Sequence, residues 1–208
     1  VANVLVFLKP ADGKFFYLTK KDVDAALYDE VGKKWDRRKV FLDQPFCAYH
    51  PHNIVMCLKY TDEDGKTLKD SGQEFIIGNT GTINHNSNIQ PNPKFNDPIN
   101  VNLGPSEKKN FLLNPQPNEF IVSCQIHPWM RAYGWSLDHP FAAITDADGK
   151  FEIEGLPVGK NTLTVWHSMS GYVWRTIDVD VKADGTTLPL VVKPQVSGGK
   201  FEKLLPGM

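Results

Sequence analysis

The sequence predicts an all-β protein made of two successive β-sandwiches. Short runs rich in Val, Ile, Phe and Thr recur along the chain, as strands require. Gly, Pro, Asn and Asp interrupt those runs at close intervals, which marks turns. Helical spacing of apolar residues is confined to one stretch, so strands and helices do not alternate as a βαβ sheet demands.

In chain order, the strand candidates are NVLVFLK (3–9), VFLDQPF (40–46), NIVMCLKY (53–60), EFIIGNT (74–80), NVNLG (100–104), EFIVSC (119–124) and AYGWSLD (132–138). FAAITD (141–146), KFEIEG (150–155), NTLTVWH (161–167), YVWRTIDVDVK (172–182) and TLPLVVKP (187–194) follow. Turn signals at DEDGK (62–66), DADGK (146–150) and PVGK (157–160) separate them. DEDG (62–65) and DADG (146–149) could suggest calcium, but each lacks the remaining ligands of an EF-hand loop, and strand-connecting turns explain them better. KKDVDAALYDEVGKKW (20–35) has near-helical apolar spacing and little β-branching, so it is the expected helix. NHNSNIQPNPKFNDPIN (84–100) is polar and rich in Asn and Pro, and reads as a long loop. Loops are irregular before His139–Pro140 and tight after it. The expected domains are therefore 1–138 and 139–195, with 196–208 as a flexible end that docks elsewhere.

The totals narrow the function. At 208 residues and 41% apolar composition the chain can bury a real core and is too apolar for disorder. Its formal net charge is −1 with mixed signs throughout, so no nucleic-acid footprint is present. The basic run KKWDRRK (33–39) contains an Asp and reads as solvated surface. No apolar run approaches the roughly 18 residues of a membrane-spanning helix. A chain beginning at Val1 fits removal of a signal peptide, so a periplasmic or secreted location is expected. Cys47 and Cys57 lie in one segment and could pair across a turn, a bridge suited to such compartments; three buried free thiols are the other reading.

The segment SCQIHPWMRAYGW (123–135) places Cys124, His127 and Met130 within seven residues. These could be ordinary core residues. They are also three of the four donors of an electron-transfer copper site, which takes two imidazoles and a thiolate near one plane with a weak axial thioether. A strand precedes the segment, Pro128 stiffens it, and AYGWSLD resumes the sheet. The remaining imidazole should come from another strand. His85 (in NHN) and His52 (in PHN) each precede an Asn whose amide could reach the thiolate loop. His85 follows the strand EFIIGNT and is favoured over His52, which stands before its strand; Asn86 then has the supporting role.

SCQIHPWMRA closely resembles the thiolate loop of the cupredoxins, the blue-copper family that includes plastocyanin, azurin and amicyanin, with the Cys-x2-His-x2-Met spacing of the short amicyanin loop. EFIIGNTGTINHNSNI resembles that family's first-ligand segment, and CAYHPHNIV with VANVLVFLKPADGK resembles plastocyanin-like secreted proteins of planctomycetes. The resemblance implies a Greek-key β-sandwich holding one type 1 copper, with His85, Cys124 and His127 as equatorial ligands and Met130 as the axial one. Two departures stand out. Residues 10–45 look like an insertion that covers the site or binds a partner. AAITDADGKFEIEGLPVGKNTLTVWH resembles the carboxypeptidase-regulatory-like or transthyretin-like (Ig-like) β-sandwich, usually an adhesive or structural addition.

The leading expectation is thus a copper electron carrier, not an enzyme, since a His2CysMet site is closed and copper catalysis generally needs an open position. The alternative is a copper-sequestering or structural assembly protein without redox turnover. A redox partner protein such as a cytochrome is expected to dock at Pro128 and Trp129, which would form an apolar collar around His127; plain packing is the other reading of Trp129 and Trp135. The C-terminal module would serve an oligomer or larger complex. His50 or His52 with Cys47 or Cys57 would form a second metal site, although plain polar residues at a strand start are the simpler reading. His139 and His167 read as structural.

Overall fold

Strands dominate the computed structural model, which describes residues 1–10, 14–30, 36–188, 191–194 and 201–204. In order they are β1 (Val4–Leu8), the helix α1 (Lys20–Leu27), β2 (Lys39–Leu42), β3 (Asn53–Met56), β4 (Lys59–Thr61), β5 (Leu68–Asp70), β6 (Glu74–Gly78), β7 (His85–Gln90) and β8 (Ile99–Leu103). Then come β9 (Lys108–Phe111), β10 (Phe120–Ser123), β11 (Arg131–Ser136), β12 (Ala142–Ile144), β13 (Gly159–His167), β14 (Gly171–Val181), β15 (Val191–Pro194) and β16 (Phe201–Leu204). The protein is an all-β sandwich structure, and the chain forms two compact units: residues 16–140, and residues 1–15 with 141–208.

In the 16–140 unit, a five-stranded sheet of order β3-β11-β10-β7-β8 faces a three-stranded sheet of order β2-β6-β9. The shared core identifies them as the two layers of a sandwich. Ile54 and Met56 of β3, Ile89 of β7, Leu103 of β8 and Phe120 and Val122 of β10 come from one sheet; Leu42 of β2 and Phe75 and Ile77 of β6 come from the other. Each such fully buried side chain contributes about 1.5–3 kcal/mol through removal of apolar area from water. Most pairs are antiparallel, but β11 runs parallel to β3 and β2 parallel to β6.

The helix begins where its sequence allows a cap. The Thr19 side chain accepts from the Asp22 amide at 3.2 Å while Asp22 Oδ2 accepts from the Thr19 amide at 2.9 Å, a reciprocal capping box. Val23, Ala26 and Leu27 form its buried face. It ends at Leu27, short of the expected 20–35 stretch, because Tyr28 turns extended and bridges Asp36; residues 31–35 lie outside the described residues. The run expected as one strand over 53–60 is β3 and β4, split where the Cys57 amide donates to Gln73 Oε1 at 2.7 Å instead of a neighbouring strand. The DEDGK turn then joins β4 to β5, with Asp64 Oδ1 accepting from the amides of Lys66 and Thr67, both at 2.8 Å.

The 84–100 segment departs most from expectation. Its first part is the strand β7, held between β8 and β10, and not a loop. Polar composition concealed it. Asn86 is 4% exposed, and its amide nitrogen donates to Asn100 Oδ1 at 2.7 Å, Asn102 Oδ1 at 3.0 Å and the Val101 carbonyl at 3.2 Å, all on β8. Buried polar groups are tolerated in a strand when they satisfy one another.

In the other unit, β1 lies between β12 and β13 in an antiparallel sheet of order β12-β1-β13-β14. Sequence patterning had grouped β1 with residues 1–138. All five of its residues are buried, and such an unbroken apolar run belongs inside a sheet, with a partner on each side. Residues 150–155, expected as a strand, are irregular around Gly155 at φ 70°. Within the 196–208 stretch, expected as a flexible end, β16 pairs antiparallel with β15; the rest lies outside the described residues.

Gly134 on β11 stands opposite Phe120 on β10, and a Cβ built there would meet the Phe120 ring carbons at 2.1–2.6 Å. Phe120 is fully buried and has nowhere to go. Gly134→Ala is expected to lower unfolding free energy by about 1–3 kcal/mol through overpacking. Chemical denaturation of Gly134→Ala alone and with Phe120→Leu checks this: the double variant should recover part of the loss.

Candidate metal centre

Strand register brings the donors together. β7 and β10 are antiparallel, with Ser123 opposite Asn88 and Val122 opposite Ile89. Just past the end of β10, the Asn86 backbone amide of β7 points at Cys124 Sγ, at 3.4 Å. Residues 38 apart in the chain thereby meet at one edge of the sheet. Residues 124–130 form the connection between the paired strands β10 and β11. The Cys124 amide donates to the Met130 carbonyl at 3.2 Å, extending the ladder by one rung, and the Met130 amide donates to the His127 carbonyl at 2.9 Å to close the turn.

His85 Nδ1 and His127 Nδ1 face each other at 3.1 Å, with their rings tilted by 58°. Cys124 Sγ is 3.8 Å from His127 Nδ1. The thiol is 3% exposed and accepts two backbone amides, those of Asn86 and His127, each at 3.4 Å. Met130 is 1% exposed and belongs to the same apolar cluster as Cys124. Burial and the His127 imidazole beside it together push the His85 ring below the usual histidine range, favouring the neutral form a metal ligand needs. His85 Nε2 is buried with no hydrogen-bond partner among the described residues.

Asn86 joins the two ligand segments. Its side-chain Nδ2 is committed to β8, and its Oδ1 accepts from the Gln125 amide at 3.3 Å. Tyr49 adds a strut by donating its hydroxyl to the Asn86 carbonyl at 2.8 Å. Burial raises the Tyr49 phenol well above its ordinary range, so it stays a neutral donor.

The donor set fits a metal ion. With metal–nitrogen bonds of about 2.0–2.1 Å and a metal–sulfur bond of about 2.3 Å, two nitrogens near a right angle stand about 3 Å apart. A sulfur and a nitrogen near 120° stand close to 4 Å apart on the same bond lengths. Both spacings are met here without moving a strand. Two imidazoles, a thiolate and a nearby thioether are the donor types that suit copper.

The loop between β2 and β3 brings a residue that sequence reasoning did not connect with this site. Asp43 and His50 exchange backbone hydrogen bonds of 2.8 and 2.9 Å, closing a loop that carries Cys47. Cys47, His85 and His127 have ligand atoms all within 4.8 Å of one another, the one such group among the described residues. Cys47 sits at φ 51°, a left-handed conformation costing a non-glycine residue on the order of 1 kcal/mol. Its carbonyl accepts the Trp129 indole N–H at 3.1 Å. Trp129 is 70% exposed, with its ring centroid 5.2 Å from that of His127, and Pro128 beside it is exposed.

Two alternatives left open by the sequence are decided. All three cysteines are free, so Cys47 and Cys57 form no bridge. Cys57 is buried with its thiol donating to the Lys59 carbonyl at 3.5 Å and pushed to weaker acidity by that burial, whereas Cys47 faces the two imidazoles. Nor do His50 and His52 gather a second site among the described residues. His50 closes the Cys47 loop and His52 packs edge-on to Tyr133 at 5.5 Å.

No family model and no curated protein matches the chain. Among solved structures, it is similar to a novel purple cupredoxin from Nitrosopumilus maritimus, with a TM-score of 0.33 and 14% identity over 47% of this chain and 98% of that one. It is also similar to a copper-containing nitrite reductase (NirK) from Thermus scotoductus SA-01, with a TM-score of 0.37 and 15% identity over 54% of this chain but 25% of that one.

Asn86→Ala would remove the buried side chain that ties β7 to Asn100, Val101 and Asn102 of β8 and to the Gln125 amide. It is expected to cost about 1–3 kcal/mol of stability. Thermal or urea unfolding of the variant measures the loss, and unchanged stability would contradict the bracing role.

Proposed function

We propose that the 16–140 unit is a cupredoxin-like mononuclear copper centre of an electron-transfer protein, with His85, Cys124, His127 and Met130 as its type 1 ligands. The observation that carries this reading is that His127 Nδ1 lies 3.1 Å from His85 Nδ1 and 3.8 Å from Cys124 Sγ. Bound copper would supply a one-electron Cu(II)/Cu(I) couple. The chain's part is to keep the donors fixed in both oxidation states, so that little reorganisation accompanies the change. The Cys124–Met130 and His127–Met130 backbone bonds stiffen the turn, and Asn86 ties it to β7. The two amides directed at Cys124 Sγ offset the negative charge of its thiolate.

In this reading His127 is the electron port, since it is half-buried beside the exposed Pro128 and Trp129. Those two residues form the apolar surface on which a redox partner protein such as a cytochrome docks. The protein is a carrier and not an enzyme, and works in the periplasm or outside the cell. Residues 139–195 are read as a carboxypeptidase-regulatory-like addition serving assembly.

Protein loaded with Cu(II) is expected to show intense visible absorption from thiolate-to-copper charge transfer, and Cys124→Ala to abolish it. Colour that survives in Cys124→Ala overturns the ligand assignment. A reversible one-electron wave with rapid self-exchange supports a carrier; slow or irreversible reduction points to copper holding without redox turnover.

A further inference from the structure

We propose that Cys47 is a second thiolate ligand of this centre, an inference that rests on the copper reading above. Cys47 Sγ shares mutual distances within 4.8 Å with ring nitrogens of both His85 and His127, and His127 is the imidazole that Cys124 Sγ also approaches, at 3.8 Å.

The surroundings position the residue. The Asp43–His50 bridge closes its loop, and the Trp129 indole from the metal loop itself binds the Cys47 carbonyl. One hydrogen bond therefore couples the Cys47 loop to the turn that bears His127. With Cys47 engaged, the centre offers two thiolates, two imidazoles and a thioether, a soft set suited to Cu(I). As each sulfur–copper bond forms, the thiol proton passes to solvent. No electron moves, so no oxidant or reductant is consumed. Cys57 lies in the core apart from this group and takes no part.

The test uses the full chain and Cu(I) supplied without oxygen. Iodoacetamide labelling is mapped by mass spectrometry before and after loading, with Cys57 as an internal control that should label slowly in both states. Labelling of half-buried Cys47 is expected to fall at least ~10-fold on loading, because a metal-bound thiolate is withdrawn from reaction. Cys47→Ser should weaken Cu(I) binding by at least the roughly 10–100-fold that loss of an outer-shell partner costs, as read by competition with a chromophoric chelator. Undiminished labelling of Cys47 in the loaded protein, or a Cys47→Ser variant that binds Cu(I) as tightly as the parent, overturns the proposal. If Cys124-dependent visible absorption persists alongside either result, the copper centre stands and Cys47 alone is excluded. If the parent binds no copper at all, both readings fall.

Discussion

The antiparallel pairing of β7 with β10 is what brings His85 beside the turn that carries Cys124, His127 and Met130. It fixes which residues of two distant segments lie side by side, and it delivers His85 to the end of the sheet where β10 gives way to the 124–130 turn. A slip of one residue would turn His85 to the opposite face, because side chains alternate along a strand. The register is held by apolar and polar means together. Ile89 and Val122, opposite each other, are both buried in the sandwich core. At the other end, Asn86 is anchored on β8 by three hydrogen bonds and on the turn by a fourth. Core packing sets the strand's depth and the Asn86 network its direction.

Much of this was legible in the sequence because it is local. Cys124, His127 and Met130 belong to one short hairpin connection, and the strand on either side of it reads plainly from EFIVSC and AYGWSLD. His85 could be singled out by its position after an apolar strand. The course of the chain around it could not, because a strand of sequence HNSNIQ has a loop's composition. Its polar side chains are paid for by Asn100 and Asn102, whose relevance appears only once β7 and β8 are aligned. The position of β1 was hidden for a similar reason. An unbroken apolar run announces a buried strand but not which sheet it enters, and its partners β12 and β13 begin more than a hundred residues later.

Cys47 shows where one-dimensional reading ends. Nothing in CAYHPHNIV marks it as a neighbour of His85, and its nearness in sequence to Cys57 invited a disulfide. The deciding feature is the parallel pairing of β2 with β6. Parallel strands end at the same edge of a sheet, so the loop after β2 and the segment after β6 emerge together. The first carries Cys47 and the second leads to His85. Thr80, just past β6, reinforces the arrangement: its amide donates to Asp43 Oδ1 at 3.0 Å, at the base of the Cys47 loop.

The two thiols near the imidazoles are built differently, and the difference bears on how such a centre would work. Cys124 is buried in the sandwich core and receives two backbone amides, so its position is set by the fold itself. Cys47 is half-buried in a left-handed backbone conformation, and its carbonyl depends on a tryptophan that is itself largely exposed. A ligand fixed by core packing keeps its place whatever the oxidation state of the ion. A ligand on a loop, joined to the metal turn through one indole hydrogen bond, can yield more cheaply, since few buried contacts oppose its displacement. Trp129 touches both parts, with its ring against His127 and its N–H on the Cys47 carbonyl, so the one exposed indole links the turn that carries Cys124 to the loop that carries Cys47.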